Sequence, residues 1–447
     1  MRTVLAVIAF AFATGVAVGQ PVAQPQSQPL PAGEPVSQMR PVVASEPPVL
    51  PGGTDVSQPL QPVGSDPLAP PPPTTGPVPE VKPIAPEHPL GPLGPSWDTL
   101  ELLYWWPTHQ PIPPLVYGSN SGVPSLVGGN GSLLAGGHAI SSQPSAGGRF
   151  TLGYSLNNAQ TFGLEGTYLF LGTRSFNETV RNFAGSPIQS FGLPYTNAST
   201  GASELLLLGQ GSGTQSFLNL STSVRVQGGE INTVANVFDE KNVKLNFLLG
   251  WRNFQTYEGL SIAQTQYRYT GAGGVFQTAD QFDARNSFNG GQLGLYADVR
   301  RGIVFCELTT KVAFGQNYEV VKTGGMTHLL LPGVGGAISQ TYPGSGVYVQ
   351  PSNLGRTASG VFAILPEGTI KFGFRLGDSG RLYVGYSFLY LTDAVRPGDQ
   401  IDRTLYTTQV PLVSGTGPVY TSDRPARIFT HSDFWVQGVV IGLETRY

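Results

Sequence analysis

The fold is decided by two short stretches of the chain, GGRFTLGYSL at 147–156 and FGLEGTYLFLG at 162–172. In the first stretch the apolar side chains occupy every second position: Phe150, Leu152, Tyr154 and Leu156 alternate with Arg149, Thr151, Gly153 and Ser155. Successive side chains of a strand point to opposite faces, so one face is apolar and the other polar or bare. The intervening residues 157–160 are polar and Asn-rich, which favours a turn. The two stretches therefore predict a β-hairpin with one apolar face.

The same alternation recurs along the chain, with short and long connections following one another. About ten strands are predicted, at 97–106, 147–156, 162–172, 215–238, 243–252, 289–300, 303–314, 367–376, 382–390 and 434–447. An even strand number with short turns on one side and long loops on the other is typical of a transmembrane antiparallel up-and-down β-barrel. Twelve strands are the alternative, with an extra hairpin near 260–269. A β-bulge is expected at Gly228-Gly229, where the alternation slips.

The composition supports an all-β membrane protein. Of 447 residues only 12% are charged, against about a quarter in soluble domains, while 40% are hydrophobic. A barrel disperses its apolar residues at alternate positions, which accounts for both values. The formal net charge of −3 argues against a nucleic-acid partner. The single Cys306 excludes an intramolecular disulfide and fits a small apolar residue on a strand face better than a reactive thiol.

Three regions follow from the pattern. Residues 1–19 predict a signal peptide, with Arg2, an apolar core at 4–18 and small residues before Gln20. The apolar core is shorter than the roughly 20 residues of a membrane-spanning helix, the alternative. Residues 20–96 form a Pro-rich spacer, expected to be disordered, extended and periplasmic. Residues 97–447 form the barrel.

The terminal strand predicts a lipid-facing row and an assembly signal, formed by Trp435, Val439, Ile441, Leu443 and Tyr447. A chain that ends on an aromatic residue with apolar residues at alternate positions resembles a client of the bacterial barrel-assembly machinery. Aromatic residues near strand ends suit the girdles at the membrane interfaces. They are Trp105, Trp106, Tyr154, Trp251, Tyr390 and Trp435.

The opposite faces of the strands carry charges of both signs, which we expect to line the lumen. The candidates are Arg149, Glu165, Arg225, Glu230, Lys244, Arg252, Glu307, Lys311, Glu367, Lys371, Arg375, Arg381, Glu444 and Arg446, with Asp298 and Arg300 beside them. Two interpretations stay open. The charges could form an ion-pair network that stabilises a nearly closed lumen, or they could line a polar path for small solutes.

Several segments resemble the bacterial outer-membrane beta-barrel porin family of the seventh type. They are ELLYWW (101–106) with PPLV (113–116), GGRFTLGY (147–154), FGLEGTYLFLG (162–172), and LLGWRNF (248–254) followed by EGL (258–260). The resemblance covers the chain from Trp97 to its end. It implies an outer-membrane barrel, and it supplies no assigned functional residues.

Three functions from different classes remain at this stage. The first is an outer-membrane barrel acting as a narrow porin for small solutes. The second is a plugged structural or surface-display barrel, tethered by its spacer to a periplasmic or cell-wall partner. The third, an outer-membrane hydrolase, rests on His431-Ser432-Asp433, whose alternating directions on a strand argue against a catalytic triad. The five His residues show no metal-ligand spacing, and no cofactor is expected. Outer-membrane lipid is an expected partner in every case.

Overall fold

The computed structural model describes residues 96–126, 130–137, 143–157, 159–183, 185–210, 213–271, 273–417 and 422–447. The predicted signal peptide and the Pro-rich spacer up to residue 95 lie outside this range. No helix within the described part is long and apolar enough to cross a membrane.

Ten long strands close into a ring of antiparallel pairs. They are β1 (Ser96–Pro107), β4 (Ser145–Ser155), β5 (Phe162–Asn182), β8 (Thr214–Glu240), β9 (Val243–Arg268), β10 (Gly274–Arg301), β11 (Val304–Gly333), β13 (Gly355–Leu376), β14 (Gly380–Val395) and β16 (His431–Arg446). Around the ring the order is β10-β9-β8-β5-β4-β1-β16-β14-β13-β11, and β11 pairs with β10 to close it. The prediction of about ten strands is confirmed, and the alternative of twelve is wrong.

The remaining strands lie in the long connections. They are β2 (Pro114–Ser119), β3 (Ser132–Gly136), β6 (Ser190–Asn197), β7 (Ser203–Gln210), β12 (Gly336–Pro343) and β15 (Thr404–Leu405). β12 extends the edge of β11, while the other five form a second sheet around β6. Two 3-10 turns (Pro397–Gln400 and Thr407–Gln409) and a short helix α1 (Pro411–Ser414) precede β16. Segments that the sequence suggested were loops thus contain a second, smaller sheet.

Short turns join the strands at the end of the ring where the chain enters and leaves. At the turn after β4, the Asn157 side chain accepts a hydrogen bond from the Thr161 N–H at 2.9 Å. The β10–β11 turn contains Gly302 at φ 63°, a left-handed conformation that glycine adopts without strain. The Tyr447 N–H donates to the Ser96 carbonyl at 2.9 Å, so the first and last strands of the ring, β1 and β16, meet here. In outer-membrane barrels this short-turn side is periplasmic.

The lower halves of the strands are apolar outside and polar inside. Leu152 is 70% exposed and Trp251 56% exposed, whereas Arg252 is only 1% exposed. Exposed apolar residues continue around all ten strands as a lipid-facing belt. Cys306 lies in this belt, partly buried on the outward face of β11.

Above the belt the alternation reverses. On β9 the outward Leu249 and Trp251 give way to the inward Leu260 and Ile262, which are each 1% exposed. β9 has 26 residues, while a barrel strand needs about 9–11 to span a bilayer, so its upper half extends beyond the membrane. There polar residues lie on the outer surface and the interior contains an apolar core, as in a soluble protein. Residues 253–268 and 274–288, which the sequence suggested were part of a long loop, therefore belong to β9 and β10.

The expected bulge at Gly228-Gly229 is wrong. Both glycines keep regular pairing with Phe254 and Asn253 on β9. The register instead shifts between Asn236 and Phe238, and on β5 between Leu171 and Arg174. A Cβ on Gly228 would lie 2.9 Å from the Asn253 carbonyl oxygen, so glycine here permits close packing of the strands.

Candidate functional site: the barrel lumen

The lumen consists of four layers, and the lowest is a polar cavity of about 380 Å³ on the short-turn side. Its walls carry Glu165, Lys311 and Lys371, and its mouth is formed by residues next to the turns, including Trp97 and Tyr447. We call this cavity the vestibule.

The charged residues at the vestibule form one continuous chain of ion pairs. It has seven cations and six carboxylates: Arg149, Arg252, Arg300, Lys311, Lys371, Arg381 and Arg446 with Glu101, Glu230, Asp298, Glu307, Glu367 and Glu444. Glu165 lines the same cavity. Several of the pairs join strands that are not neighbours in the ring. The charges therefore tie opposite walls of the barrel together.

The centre of this chain is Glu367 on β13. It receives Arg149 from β4 at 3.2 Å and Arg252 from β9 at 2.9 Å. Arg149 also binds Glu101, and Arg252 also binds Glu230. Lys371, four residues further along the inward face of β13, approaches Glu101 at 2.8 Å. Buried charges are tolerated only when they are paired in this way.

Two of the predicted lumen residues lie elsewhere. Arg225 is exposed on the outward face of β8, with its guanidinium 4.4 Å from the centre of the Tyr257 ring. Arg375 is exposed beside the β13–β14 turn, beyond the rim of the lumen. Lys244 points inward but pairs separately with Asp239, at 3.5 Å. The other candidates line the vestibule or belong to the ion-pair chain.

The second layer is apolar. Leu103, Trp105, Phe254, Phe288 and Phe434 are all fully buried in it. Trp105 was expected in an interface girdle, and that expectation is wrong: its ring points inward, where the bare backbone of Gly438 makes room for it. Trp106 and Trp435 are partly exposed on the outward face.

The third layer is polar and centred on Arg396, from the segment after β14. Its guanidinium binds the Glu258 carboxylate with two nitrogens, one of them at 2.8 Å, and donates to the Asp433 and His109 carbonyls at 3.1 Å each. Arg396 is 1% exposed and Glu258 3% exposed. This paired charge fixes the segment across the top of the second layer.

The fourth layer is a large apolar core above the membrane. The second sheet packs Leu115, Phe191 and Leu208 against the inward faces of β8 to β11, which contribute Leu260 and Phe282 among others. The core fills the upper barrel as the interior of a soluble domain would. We call the second sheet and the segments packed with it the cap.

One buried carboxyl attaches the cap to the barrel wall. Asp280 on β10 is 1% exposed and accepts hydrogen bonds from the N–H groups of Val347 (3.0 Å) and Val349 (2.8 Å), in the connection between β12 and β13. Burial raises the pKa of Asp280 to about 6, although the backbone N–H donors act in the opposite direction.

This pKa predicts a pH-dependent stability. Because the folded-state pKa lies above the ordinary value of 3.8, the folded protein binds the proton more tightly, and the stabilisation is lost as pH rises through about 6. We expect the free energy of unfolding to fall by about 1 kcal/mol more in the wild type than in Asp280→Asn between about pH 5 and pH 7.5. Denaturant unfolding at the two pH values measures the difference. Equal pH dependence in both proteins would contradict the prediction.

The compact triplet His431-Ser432-Asp433 does not form a catalytic arrangement. The His431 Nε2 lies 2.8 Å from Glu319, while the Ser432 hydroxyl donates to Asp399 at 2.7 Å. The two side chains thus have separate partners. Within the described residues no group of three or more His, Cys, Asp or Glu is placed to hold a metal ion.

Sequence reasoning missed Glu101 and Arg396. Glu101 had a usable signal, since it alternates with the outward Leu102 and Tyr104 and therefore points inward. Arg396 had none, because it lies in an irregular segment without periodicity.

Comparison with known proteins identifies a family. Residues 97–447 match the family model described as "Putative beta barrel porin-7 (BBP7)". No curated protein sequence matches the chain. Among solved structures, the outer membrane protease OmpT from Escherichia coli is 9% identical, with 79% of this chain and 97% of that chain covered and a TM-score of 0.38. The P. putida toluene transporter TodX is 8% identical, with 79% of this chain and 89% of that chain covered and a TM-score of 0.18. A Pseudomonas aeruginosa FadL homologue is also 8% identical, with 79% of this chain and 90% of that chain covered and a TM-score of 0.19.

Proposed function

Because the chain belongs to the beta barrel porin-7 family and is an outer-membrane β-barrel, we propose that it is a closed barrel that anchors and displays its cap at the cell surface. A narrow porin is the alternative, and the two differ in whether the second layer of the lumen is open. The proposal includes no catalytic step.

One contact supports the closed barrel more than any other. The rings of Phe254 on β9 and Phe434 on β16 lie with their centres 6.3 Å apart. In the ring of ten strands these two are five positions apart in either direction, so they face each other across the full diameter. Together with the fully buried Leu103, Trp105 and Phe288 of the same layer, this contact supports a closed lumen.

The layers on either side support the same proposal. Below, the ion-pair chain joins opposite walls, and above, Arg396 fixes a segment across the lumen. The cap adds an apolar core. A solute would have to disrupt all of these layers in turn, which a narrow porin does not require.

Planar-bilayer recording tests the proposal. We expect the purified full-length protein to give no discrete conductance steps over a range of voltages and salts. An open porin reconstituted in the same way shows that the assay detects pores, and a heat-dependent shift in gel mobility shows that the protein is folded. Reproducible single-channel steps from the folded protein would overturn the closed barrel and favour the porin.

Two partners belong to the proposal. The outward residues of β16 and the exposed Tyr447 support recognition by the barrel-assembly machinery during insertion. Because β1 begins at Ser96 on the short-turn side, we propose that the Pro-rich spacer lies in the periplasm and tethers the barrel to a periplasmic or cell-wall partner.

A further inference from the structure

A group of basic side chains lies together on the outward face of the barrel, above the belt. The group, which we call the cationic patch, consists of Arg225 on β8, Arg285 on β10, Lys322 on β11 and Arg356 on β13, all exposed. Tyr257 on β9 pairs with both Arg225 and Arg285, and Lys322 pairs with Arg356. The four cations therefore form one surface across five neighbouring strands.

Local contacts orient the guanidinium groups without neutralising them. The guanidinium groups of Arg225 and Arg285 lie 4.4 Å and 5.0 Å from the centre of the Tyr257 ring. Arg356 donates a hydrogen bond to the Tyr318 hydroxyl at 3.1 Å. These residues border an open groove of about 670 Å³. Arginines held on aromatic rings keep most of their N–H donors available to a ligand.

The patch has an excess of positive charge. In the part of the chain that the structure describes, none of its four cations forms an ion pair, whereas the lumen cations are paired throughout. The groove also contains Asp283, which accepts a hydrogen bond from Gln281 at 2.9 Å, and Glu258, which binds Arg396 on the lumen side. Four adjacent cations repel one another unless an anion joins them.

The distance of the patch from the lipid-facing belt indicates what kind of anion it can bind. On β9 the lipid-facing belt ends at Trp251, and Tyr257 lies six residues higher, about 20 Å along a tilted strand. Between them the outward residues are Asn253 and Gln255, which are polar. Long Arg and Lys side chains can reach down from this level. The patch thus faces the headgroup layer of the outer leaflet, not its hydrocarbon.

We propose that the cationic patch binds the phosphate groups of an outer-leaflet glycolipid headgroup. Guanidinium groups match phosphate oxygens with paired hydrogen bonds, and clusters of basic residues beside a membrane recognise phosphorylated headgroups. The ligand neutralises the patch and holds the tall wall of the barrel in a fixed position against the lipid layer.

Calorimetric titration of the folded full-length protein in detergent tests this proposal, with diphosphorylated lipid A as the probe. We expect the double variant Arg225→Gln/Arg285→Gln to bind at least about tenfold more weakly, because hydrogen bonds between charged groups are lost. Lys322→Gln/Arg356→Gln should weaken binding in the same direction. The matched control is Arg375→Gln, an exposed arginine at the periplasmic turn, which should bind like the wild type.

Two further titrations identify what the patch binds. Lipid A without phosphate groups should bind the wild type weakly. Its affinity for the wild type should not exceed that of diphosphorylated lipid A for the Arg225→Gln/Arg285→Gln variant. Inorganic phosphate should not displace the lipid. Equal binding of both lipids, undiminished binding by both double variants, or displacement by inorganic phosphate would each overturn the proposal. The heat-dependent gel shift establishes that every variant is folded.

Discussion

Replacing Arg252 by Met should lower the free energy of unfolding by about 3–5 kcal/mol, since it removes one partner of a buried ion pair. Arg252 is 1% exposed, binds Glu230 and lies 2.9 Å from Glu367. Methionine fills much of the same volume, so the loss comes from the charge. Glu230 would then keep only Lys311 as an ion-pair partner, and Glu367 only Arg149. Arg149 is also paired with Glu101.

Guanidinium chloride unfolding of the barrel in lipid vesicles, followed by tryptophan fluorescence, measures this loss. Arg375→Met is the matched control, because Arg375 is exposed beside a turn and should tolerate the change. Adding Glu230→Gln to Arg252→Met should restore part of the stability by removing an uncompensated charge. If Arg252→Met and Arg375→Met were equally stable, the ion-pair chain would not be a stabilising element of the lumen.

The second large effect is expected from Trp105→Ala, at about 3–5 kcal/mol of unfolding free energy. Trp105 is fully buried in the apolar layer, with the Arg149 guanidinium 5.9 Å from its ring centre. Removing the indole leaves a cavity that the surrounding strands cannot fill, because pairing in the closed barrel fixes the position of each strand. It would also deprive Arg149 of a packing surface.

The neighbouring Trp106 provides a control of the same residue type on the opposite face. It is partly exposed to lipid, so Trp106→Ala should cost only about 1 kcal/mol. The same unfolding experiment compares the two variants. Equal losses would show that Trp105 does not fill the lumen and would weaken the closed barrel.

The membrane-spanning half of the fold could be predicted from the sequence because lipid imposes a simple rule. Outward residues there are mostly apolar, and the lumen accepts polar residues, so alternation marks each strand. The hairpins around Asn157 and Gly302 were predicted for this reason, as was the ring of ten strands. Most charged lumen residues follow from the same rule.

The upper half could not be predicted because the rule changes at the membrane surface. Beyond Trp251 polar residues occupy both faces of β9 and apolar residues such as Leu260 turn inward, so a polar position no longer indicates the lumen. Arg225 was assigned inward for this reason, although it lies on the outward face. The second sheet was missed because its strands are short and interrupted by Gly and Pro, as loops are.

The reversal of alternation within single strands constrains which insertions and deletions the gene can tolerate. Losing one residue between Trp251 and Leu260 would turn every higher side chain of β9 to the other face, exposing Leu260 and Ile262 and burying polar neighbours. Losing two would keep the faces and only shorten the wall. Over evolution, the tall strands of this barrel should therefore change length in steps of two residues, while their connecting loops vary freely.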